Sequence, residues 1–224
     1  MSAFSIAVLL LAALGTAGLL VYIKFWLPRA VEERTLESLR AFGKAIELRF
    51  PSHQGLTEQV LQLSMEVATA LKLSPHERHL LEFAVHLRDI GLCAIPYSLV
   101  NGRSWEDWSA AEQTTYDRHA EISGAMLEMV PSLKQIAEIV RHHHMRHEDF
   151  PKLVEGKFFT PPIQSEILNA VAAYVWIENH QGSVAARAAI TAKTGTEIDP
   201  AVAEALLSVL SFARIEEPLR RAVV

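Results

Sequence analysis

The chain has 224 residues, of which 50% are hydrophobic and 21% charged, enough for one buried globular domain plus an additional segment. Its formal net charge of −5 argues against a nucleic-acid partner, because a nucleic-acid-binding face needs an excess of Lys and Arg. The single cysteine, Cys93, excludes an intrachain disulfide and a cysteine-based zinc cluster. Any metal chemistry would therefore depend on carboxylates and on the 10 histidines.

The N-terminal segment has the composition of a transmembrane helix. Its first charged residue is Lys24, and residues 6–23 are almost all Leu, Ala, Val and Ile. About 20 apolar residues in a helix cross a hydrocarbon core of about 30 Å, and aromatic and basic residues are typical of the membrane interface that follows. A cleaved signal peptide is the alternative, but it would need a basic residue before the apolar run and a shorter run.

The distribution of basic residues around this segment predicts its orientation. Lys24, Arg29 and Arg34 all follow the apolar run and none precedes it. Because Lys and Arg are retained on the cytoplasmic side, we expect a single-pass protein of the inner (cytoplasmic) membrane whose soluble part lies in the cytoplasm. The expected organisation is an anchor over 1–27, a juxtamembrane helix or linker over 28–40 and one helical domain over 41–224.

Beyond Pro28 the apolar residues recur at helical spacing, and no convincing alternating strand pattern is found. The sequence therefore predicts an all-α fold, a helical bundle preceded by the single membrane helix. Ser74-Pro75 is a typical helix start, and residues 96–104 and 148–162 are predicted loops. The helices are expected near 31–50, 56–73, 75–84, 106–117, 119–130, 132–145, 163–178, 183–193 and 199–212.

Polar groups interrupt the apolar background at three places: Arg88-Asp89, His119 and the run from His142 to His147. Histidine and aspartate converging from several helices can hold a metal in a bundle. Adjacent residues on a helix point about 100° apart, so His143 and His144 are expected to face different directions. The alternative is structural, because histidines also complement the C-terminal end of a helix and an Asp before Gly can form a turn.

Seven segments, in order, resemble the motifs of HD-GYP domains, the branch of the HD metal-dependent phosphohydrolases that cleaves cyclic di-GMP. The run Arg-Asp-Ile-Gly-Leu at 88–92 resembles H-D-I-G-K, and the run at 139–144 resembles I-V-R-Y-H-H. The other segments are 41–49, 55–60, 119–124, 167–174 and 195–200. The resemblance implies an HD-type bundle in which two or three iron or manganese ions activate water for phosphodiester hydrolysis.

Carried over position by position, the resemblance keeps four metal ligands and replaces three. The retained ligands are Asp89, His119, His143 and His144. The replaced ligands are two histidines and an aspartate of the family, where this chain has Leu56, Arg88 and Ala172. The three losses belong largely to one metal. The retained ligands could hold one divalent cation (Fe, Mn or Zn), and the alternative is that the protein binds no metal.

Arg88 is expected to make the emptied site unfavourable for a cation. A guanidinium about 4 Å from a dication would be repelled by on the order of 8 kcal/mol at an effective dielectric near 20. Alternatively, Arg88 pairs with Asp89 or binds a phosphate with two hydrogen bonds. The family's phosphate-contacting Lys is Leu92 here, and its G-Y-P loop is shortened to Asp149-Phe150-Pro151.

These departures predict a membrane-tethered HD-GYP-like signalling module with little or no hydrolysis. It would act by binding a cyclic dinucleotide, another phosphoester or a protein partner. The alternative is an active phosphohydrolase that uses one remaining metal, with Asp89 as its catalytic residue. A third alternative is a structural assembly module, and the resemblance makes a homodimer one expected form.

Overall fold

The computed structural model describes residues 2–102, 107–149, 153–154, 157–158 and 160–221. The chain divides into two compact units, Met1–Ala41 and Phe42–Val224. Helix α1 of the first unit spans Ala3–Val21, a short π-helical turn follows at Tyr22–Trp26, and helix α2 spans Leu27–Arg49. None of the described residues of α1 is buried. The helical stretch Ala3–Val31 is long and apolar enough to cross a membrane, as the composition predicts.

The second unit is built almost entirely of helices, which confirms the predicted all-α fold. After α2 the helices are α3 (Leu56–Ala70), α4 (Pro75–Leu87), α5 (Tyr97–Gly102), α6 (Ala110–Glu128), α7 (Lys134–Arg141), α8 (Ile163–Gln181), α9 (Ser183–Lys193) and α10 (Pro200–Arg221). Short 3-10 turns lie at Pro51–His53, Ile90–Ala94, Pro131–Leu133 and His147–Asp149. Strands β1 (Leu153–Val154) and β2 (Lys157–Phe158) pair antiparallel inside the segment predicted as a loop.

Two helix starts are determined by reciprocal capping hydrogen bonds. The Ser74 side chain accepts from the Glu77 backbone, and the Glu77 carboxylate accepts from the Ser74 backbone, so the predicted start at Pro75 is confirmed. Ser109 and Glu112 form the same arrangement at the start of α6. The prediction of separate helices over 106–117 and 119–130 was wrong, because one helix runs from this cap to Glu128.

Two further predicted boundaries differ from the structure. Helix α7 ends at Arg141, so the run from His142 to His144 lies in a turn rather than on a helix. The predicted loop over 96–104 contains the short helix α5. The first difference matters for the site, because residues in a turn are not restricted to the 100° spacing of helical side chains.

The hydrophobic core lies between α3, α4, α7, α8 and α10. Each contributes a fully buried aliphatic side chain: Val67, Leu81, Val140, Leu168 and Leu206. Full burial of one such side chain stabilises the fold by roughly 1.5–3 kcal/mol relative to exposure. Helix α6 packs against α7 and against the turn Ile90–Ala94. This packing brings the end of α4 next to the middle of α6.

Candidate metal centre and cavity

The junction between the end of α4 and α6 depends on a close backbone approach at Gly91. A Cβ atom at this position would overlap the His119 carbonyl oxygen and lie 2.7 Å from the Ser123 backbone nitrogen. The buried Ser123 hydroxyl accepts a hydrogen bond from the Gly91 amide (2.8 Å) and donates one to the Arg88 carbonyl (2.8 Å). Glycine is therefore required here, and the contact places Asp89 beside His119.

Three imidazoles meet at this junction. His119, His143 and His144 each offer a ring nitrogen within 4.8 Å of the other two. The ring centroids of His143 and His144 are 4.1 Å apart, and those of His119 and His144 are 4.9 Å apart. Both residues lie in the turn that follows α7 rather than on a helix, and His143 is buried while His144 is exposed, so the two do not share one environment, as predicted, although their rings are neighbours.

Backbone hydrogen bonds determine the tautomers of two of these rings. The His119 Nδ1 atom lies 2.7 Å from the Tyr116 carbonyl oxygen, and the His143 Nδ1 atom lies 2.6 Å from the Val140 carbonyl oxygen. A carbonyl only accepts, so each Nδ1 atom carries the proton and each Nε2 atom is free to coordinate. This is the usual outer-shell arrangement of histidines that bind metals.

Two of the three rings, those of His119 and His143, are buried, while His144 is exposed. Burial, together with the nearby His119, lowers the pKa of His143 to about 3, so this ring is neutral at physiological pH and can bind a cation. Within the described structure, the His119 Nε2 atom is buried without a hydrogen-bond partner, and it lies 3.5 Å from Asp89 Oδ1. A cation would satisfy this nitrogen and the carboxylate together. The donor set fits one divalent transition metal.

Arg88 is paired with Asp89, which is one of the two alternatives left open by the sequence. The Arg88 Nη2 atom lies 3.0 Å from Asp89 Oδ2, and the Nη1 atom donates to the Val85 carbonyl (3.2 Å). The Arg88 side chain is 5% exposed and that of Asp89 is 17% exposed. Burial alone would raise the pKa of Asp89, but the adjacent Arg88 guanidinium holds it well below its ordinary value.

The residues beside the imidazole cluster do not fit a second metal there. Leu56, Arg88 and Ala172, where the motif resemblance implies ligands, all line one cavity of about 1080 Å³ together with Asp89 and His143. Leu56 and Ala172 offer apolar side chains, and Arg88 offers a positive charge. These three groups cannot donate an electron pair to a cation.

The same cavity contains aromatic and imidazole groups that the sequence interpretation did not single out. Tyr116, Trp108, Trp176 and the buried His53 line it. The His53 Nε2 atom lies 3.3 Å from the Tyr116 hydroxyl, and burial lowers the pKa of His53. Tyr116 precedes His119 by three residues and so shares its helical face, a spacing visible in the sequence. The cavity volume of about 1080 Å³ slightly exceeds the usual range of small-molecule sites, about 300 to 1,000 Å³.

The remaining sequence candidates lie away from the imidazole cluster. His142 turns to the surface of α7, with its Nε2 atom 3.4 Å from Glu138. Leu92 is fully buried in a small core with Phe50 and Val100, so it cannot contact a phosphate. The shortened loop Asp149-Phe150-Pro151 falls mostly outside the described residues.

Comparison with known proteins gave matches to a family model, a curated relative and a solved structure. An HD domain family model matches residues 40–202. The chain is 28% identical over 194 residues to the cyclic di-GMP phosphodiesterase response regulator RpfG of Xanthomonas campestris pv. campestris (strain 8004), covering 79% of this chain and 48% of that protein. A crystal structure of the cyclic GMP-AMP-specific phosphodiesterase V-cGAP3 of V. cholerae matches with a TM-score of 0.61 at 15% identity, covering 80% of this chain and 49% of that one.

These matches differ in what they establish. The chain spans about half the length of both relatives, and identity of 15% to a solved structure shows the fold alone. The family match covers most of the second unit, including all three imidazoles of the cluster. The resemblance drawn from the motifs is thereby confirmed at the level of the family: the chain belongs to the HD domain family.

Proposed function

We propose that this chain is a membrane-anchored, HD-GYP-like signalling module that binds a cyclic dinucleotide or related phosphoester and hydrolyses it little or not at all. Residues 1–27 would form the anchor, 28–40 a juxtamembrane link, and 41–224 the ligand-binding domain in the cytoplasm. The printed names of both relatives refer to cyclic dinucleotide phosphodiesterases, which supports the ligand class. A protein partner and a homodimer stay predictions.

The observation that carries the proposal is the buried ion pair between Arg88 and Asp89, 3.0 Å apart. Two-metal hydrolysis needs a pair of cations about 3.5–4 Å apart that clamp the attacking and leaving oxygens. Here the carboxylate that would be shared between them already binds a guanidinium, and two neighbouring ligand positions are the apolar Leu56 and Ala172. One positive charge of the centre is therefore supplied permanently by the protein.

The remaining groups are suited to holding a ligand. Three imidazoles could hold one cation, which would supply a Lewis acid for a phosphoryl oxygen. Arg88 has five N–H donors, and its contacts with Asp89 and Val85 leave donors for a phosphate oxygen in the cavity. Trp176 lines the cavity, where its ring already stacks on His180 (centroids 4.2 Å apart), and a nucleobase could extend this stack.

Binding can be tested by titrating the purified full-length protein, in detergent micelles, with cyclic di-GMP and cyclic GMP-AMP. Base stacking contributes about 1–3 kcal/mol, so Trp176→Ala should weaken binding by roughly tenfold. The matched control is Trp26→Ala, outside the cavity, which should bind like the wild type. Absence of saturable binding of either dinucleotide, or equal binding by both variants, would contradict the assignment of the cavity.

Hydrolysis can be tested with the triple substitution Leu56→His, Arg88→His and Ala172→Asp, which restores the family's ligand types. We expect the wild type to release no product with manganese or iron, and the triple variant to gain bound metal and turnover. Adding His143→Ala to the triple variant is the control and should abolish the gain. Turnover by the wild-type protein that is lost in His143→Ala would refute the proposal.

A single-metal phosphohydrolase is the second candidate, favoured by the His119 and His143 rings whose Nδ1 atoms are held by backbone carbonyls. In this case Asp89 would act as the catalytic residue after release from Arg88. The wild type would then contain one equivalent of metal and hydrolyse small phosphoesters such as p-nitrophenyl phosphate. Metal content without hydrolysis separates the binding module from this enzyme.

A further inference from the structure

We infer that His147, Glu166 and Asp199 form a second divalent-cation site, distinct from the imidazole cluster. The His147 Nδ1 atom lies 3.1 Å from Glu166 Oε1 and 3.7 Å from Asp199 Oδ2. One ligand atom from each residue lies within 4.8 Å of the other two. The three residues come from the turn His147–Asp149, from α8 and from the residue that precedes α10.

The observation that points to a ligand is an unsatisfied oxygen on Glu166. This residue is 6% exposed, and among the described residues its Oε2 atom is buried without a hydrogen-bond partner. His147 contacts the other oxygen, and the Asp199 backbone N–H approaches the carboxylate, but within the described part of the chain Oε2 itself makes no full hydrogen bond, which is costly for a buried oxygen. A cation bound between the three side chains would satisfy the carboxylate completely.

The spacing of the donors agrees with coordination. Metal–nitrogen and metal–oxygen bonds of about 2.1 Å place neighbouring ligand atoms roughly 3.0 Å apart in octahedral and 3.4 Å apart in tetrahedral geometry. The observed separations of 3.1 and 3.7 Å are close to this range. One imidazole and two carboxylates suit zinc or manganese, and the partly exposed His147 and Asp199 leave a route from solvent.

Hydrogen bonds fix the segments that carry His147 and Asp199. The His147 amide donates to the Glu197 carbonyl (3.1 Å), and the Asn169 side chain donates to the Met145 and Glu197 carbonyls (3.1 Å each). Asp199 Oδ1 accepts from the Val202 amide (2.9 Å), so this oxygen caps α10 while Oδ2 faces His147. A cation here would tie the turn that follows the imidazole cluster to α8 and α10.

The test is zinc stoichiometry of the full-length protein in detergent micelles, stripped with chelator, dialysed against zinc and measured by elemental analysis. The decisive background is His143→Ala, which disables the imidazole cluster. We expect the His143→Ala variant to bind one equivalent of zinc, and the double variant His143→Ala/Glu166→Gln to bind none. The matched control, Glu148→Gln, removes an exposed carboxylate next to His147 and should keep the equivalent. Unchanged zinc in the Glu166→Gln double variant would overturn the site.

A second variant covers the case in which Glu166→Gln does not fold. Asp199→Asn keeps an equally good helix cap while it removes the charged ligand. In the His143→Ala background it should weaken zinc binding at least about tenfold, measured by competition with a fluorescent chelator. Unchanged zinc affinity in this variant would overturn the site and leave His147 as an ordinary hydrogen-bonding partner of the two carboxylates.

Discussion

Replacement of Arg88 by methionine should destabilise the metal-free protein by about 3 kcal/mol. The guanidinium and the Asp89 carboxylate are 3.0 Å apart, which corresponds to about 5.5 kcal/mol of attraction at an effective dielectric near 20. Removing one partner of a buried pair leaves the other charge uncompensated and costs about 3–5 kcal/mol. The lower end applies because Asp89 is 17% exposed, next to the cavity.

The measurement is urea unfolding of the full-length protein in detergent micelles with excess chelator, followed by tryptophan fluorescence. The midpoint should fall with little change in the slope, because the surface exposed on unfolding is nearly the same. Arg146→Met is the matched control: Arg146 also pairs with a carboxylate, that of Glu148 at 2.6 Å, but its side chain is 52% exposed. An exposed pair of this kind is worth about 1 kcal/mol or less.

Manganese or zinc provides the second readout of the same variant. Without Arg88, Asp89 is free to bind a cation at the imidazole cluster, so added metal should raise the midpoint more in Arg88→Met than in the wild type. The reasoning would be refuted if Arg88→Met unfolded within 0.5 kcal/mol of the wild type, on the order of an ordinary surface substitution. An equal response of both proteins to metal would refute the idea that the pair withholds Asp89 from a cation at the imidazole cluster.

Three further predictions concern the surroundings of the site. His143→Ala should weaken zinc binding at the imidazole cluster at least about tenfold by competition titration, whereas His142→Ala, next to it but turned away, should not. Glu47 is buried, and its ion pair with Lys44 and its hydrogen bond from the Thr57 amide lower its pKa despite burial. Glu47→Gln should therefore cost about 1–2 kcal/mol in urea at pH 7, and the difference should shrink as the pH falls from the ordinary carboxyl pKa through the lowered pKa of the folded state, because the wild-type carboxylate then becomes protonated. A pH-independent difference would contradict this. Gly91→Ala should lower the melting temperature and cost about 2–3 kcal/mol, because its Cβ would overlap the backbone of α6; an unchanged melt would show that the contact can relax.

Local sequence signals were sufficient for the long apolar N-terminal helix, the all-α class and the helix that starts at Pro75. An apolar run of this length favours a helix long enough to cross a membrane. The Ser74–Glu77 cap is formed by residues only three apart in the chain, so it is also visible in the sequence. The family motifs also single out His119, His143 and His144, which the structure brings together. The end of α7 was predicted too late, because the turn at His142 has no Gly or Pro to mark it.

What only the tertiary structure decided is how the side chains from different helices meet. The sequence left two roles open for Arg88, and the structure shows its guanidinium paired with the Asp89 carboxylate. The close approach of the residues after α4 to α6 at Gly91 then brings Asp89 next to His119. The convergence of His147, Glu166 and Asp199, up to 52 positions apart in the chain, has no periodicity or motif that could reveal it. Helical periodicity reports which face of each helix is buried, but the distance between two buried polar groups depends on how the helices pack.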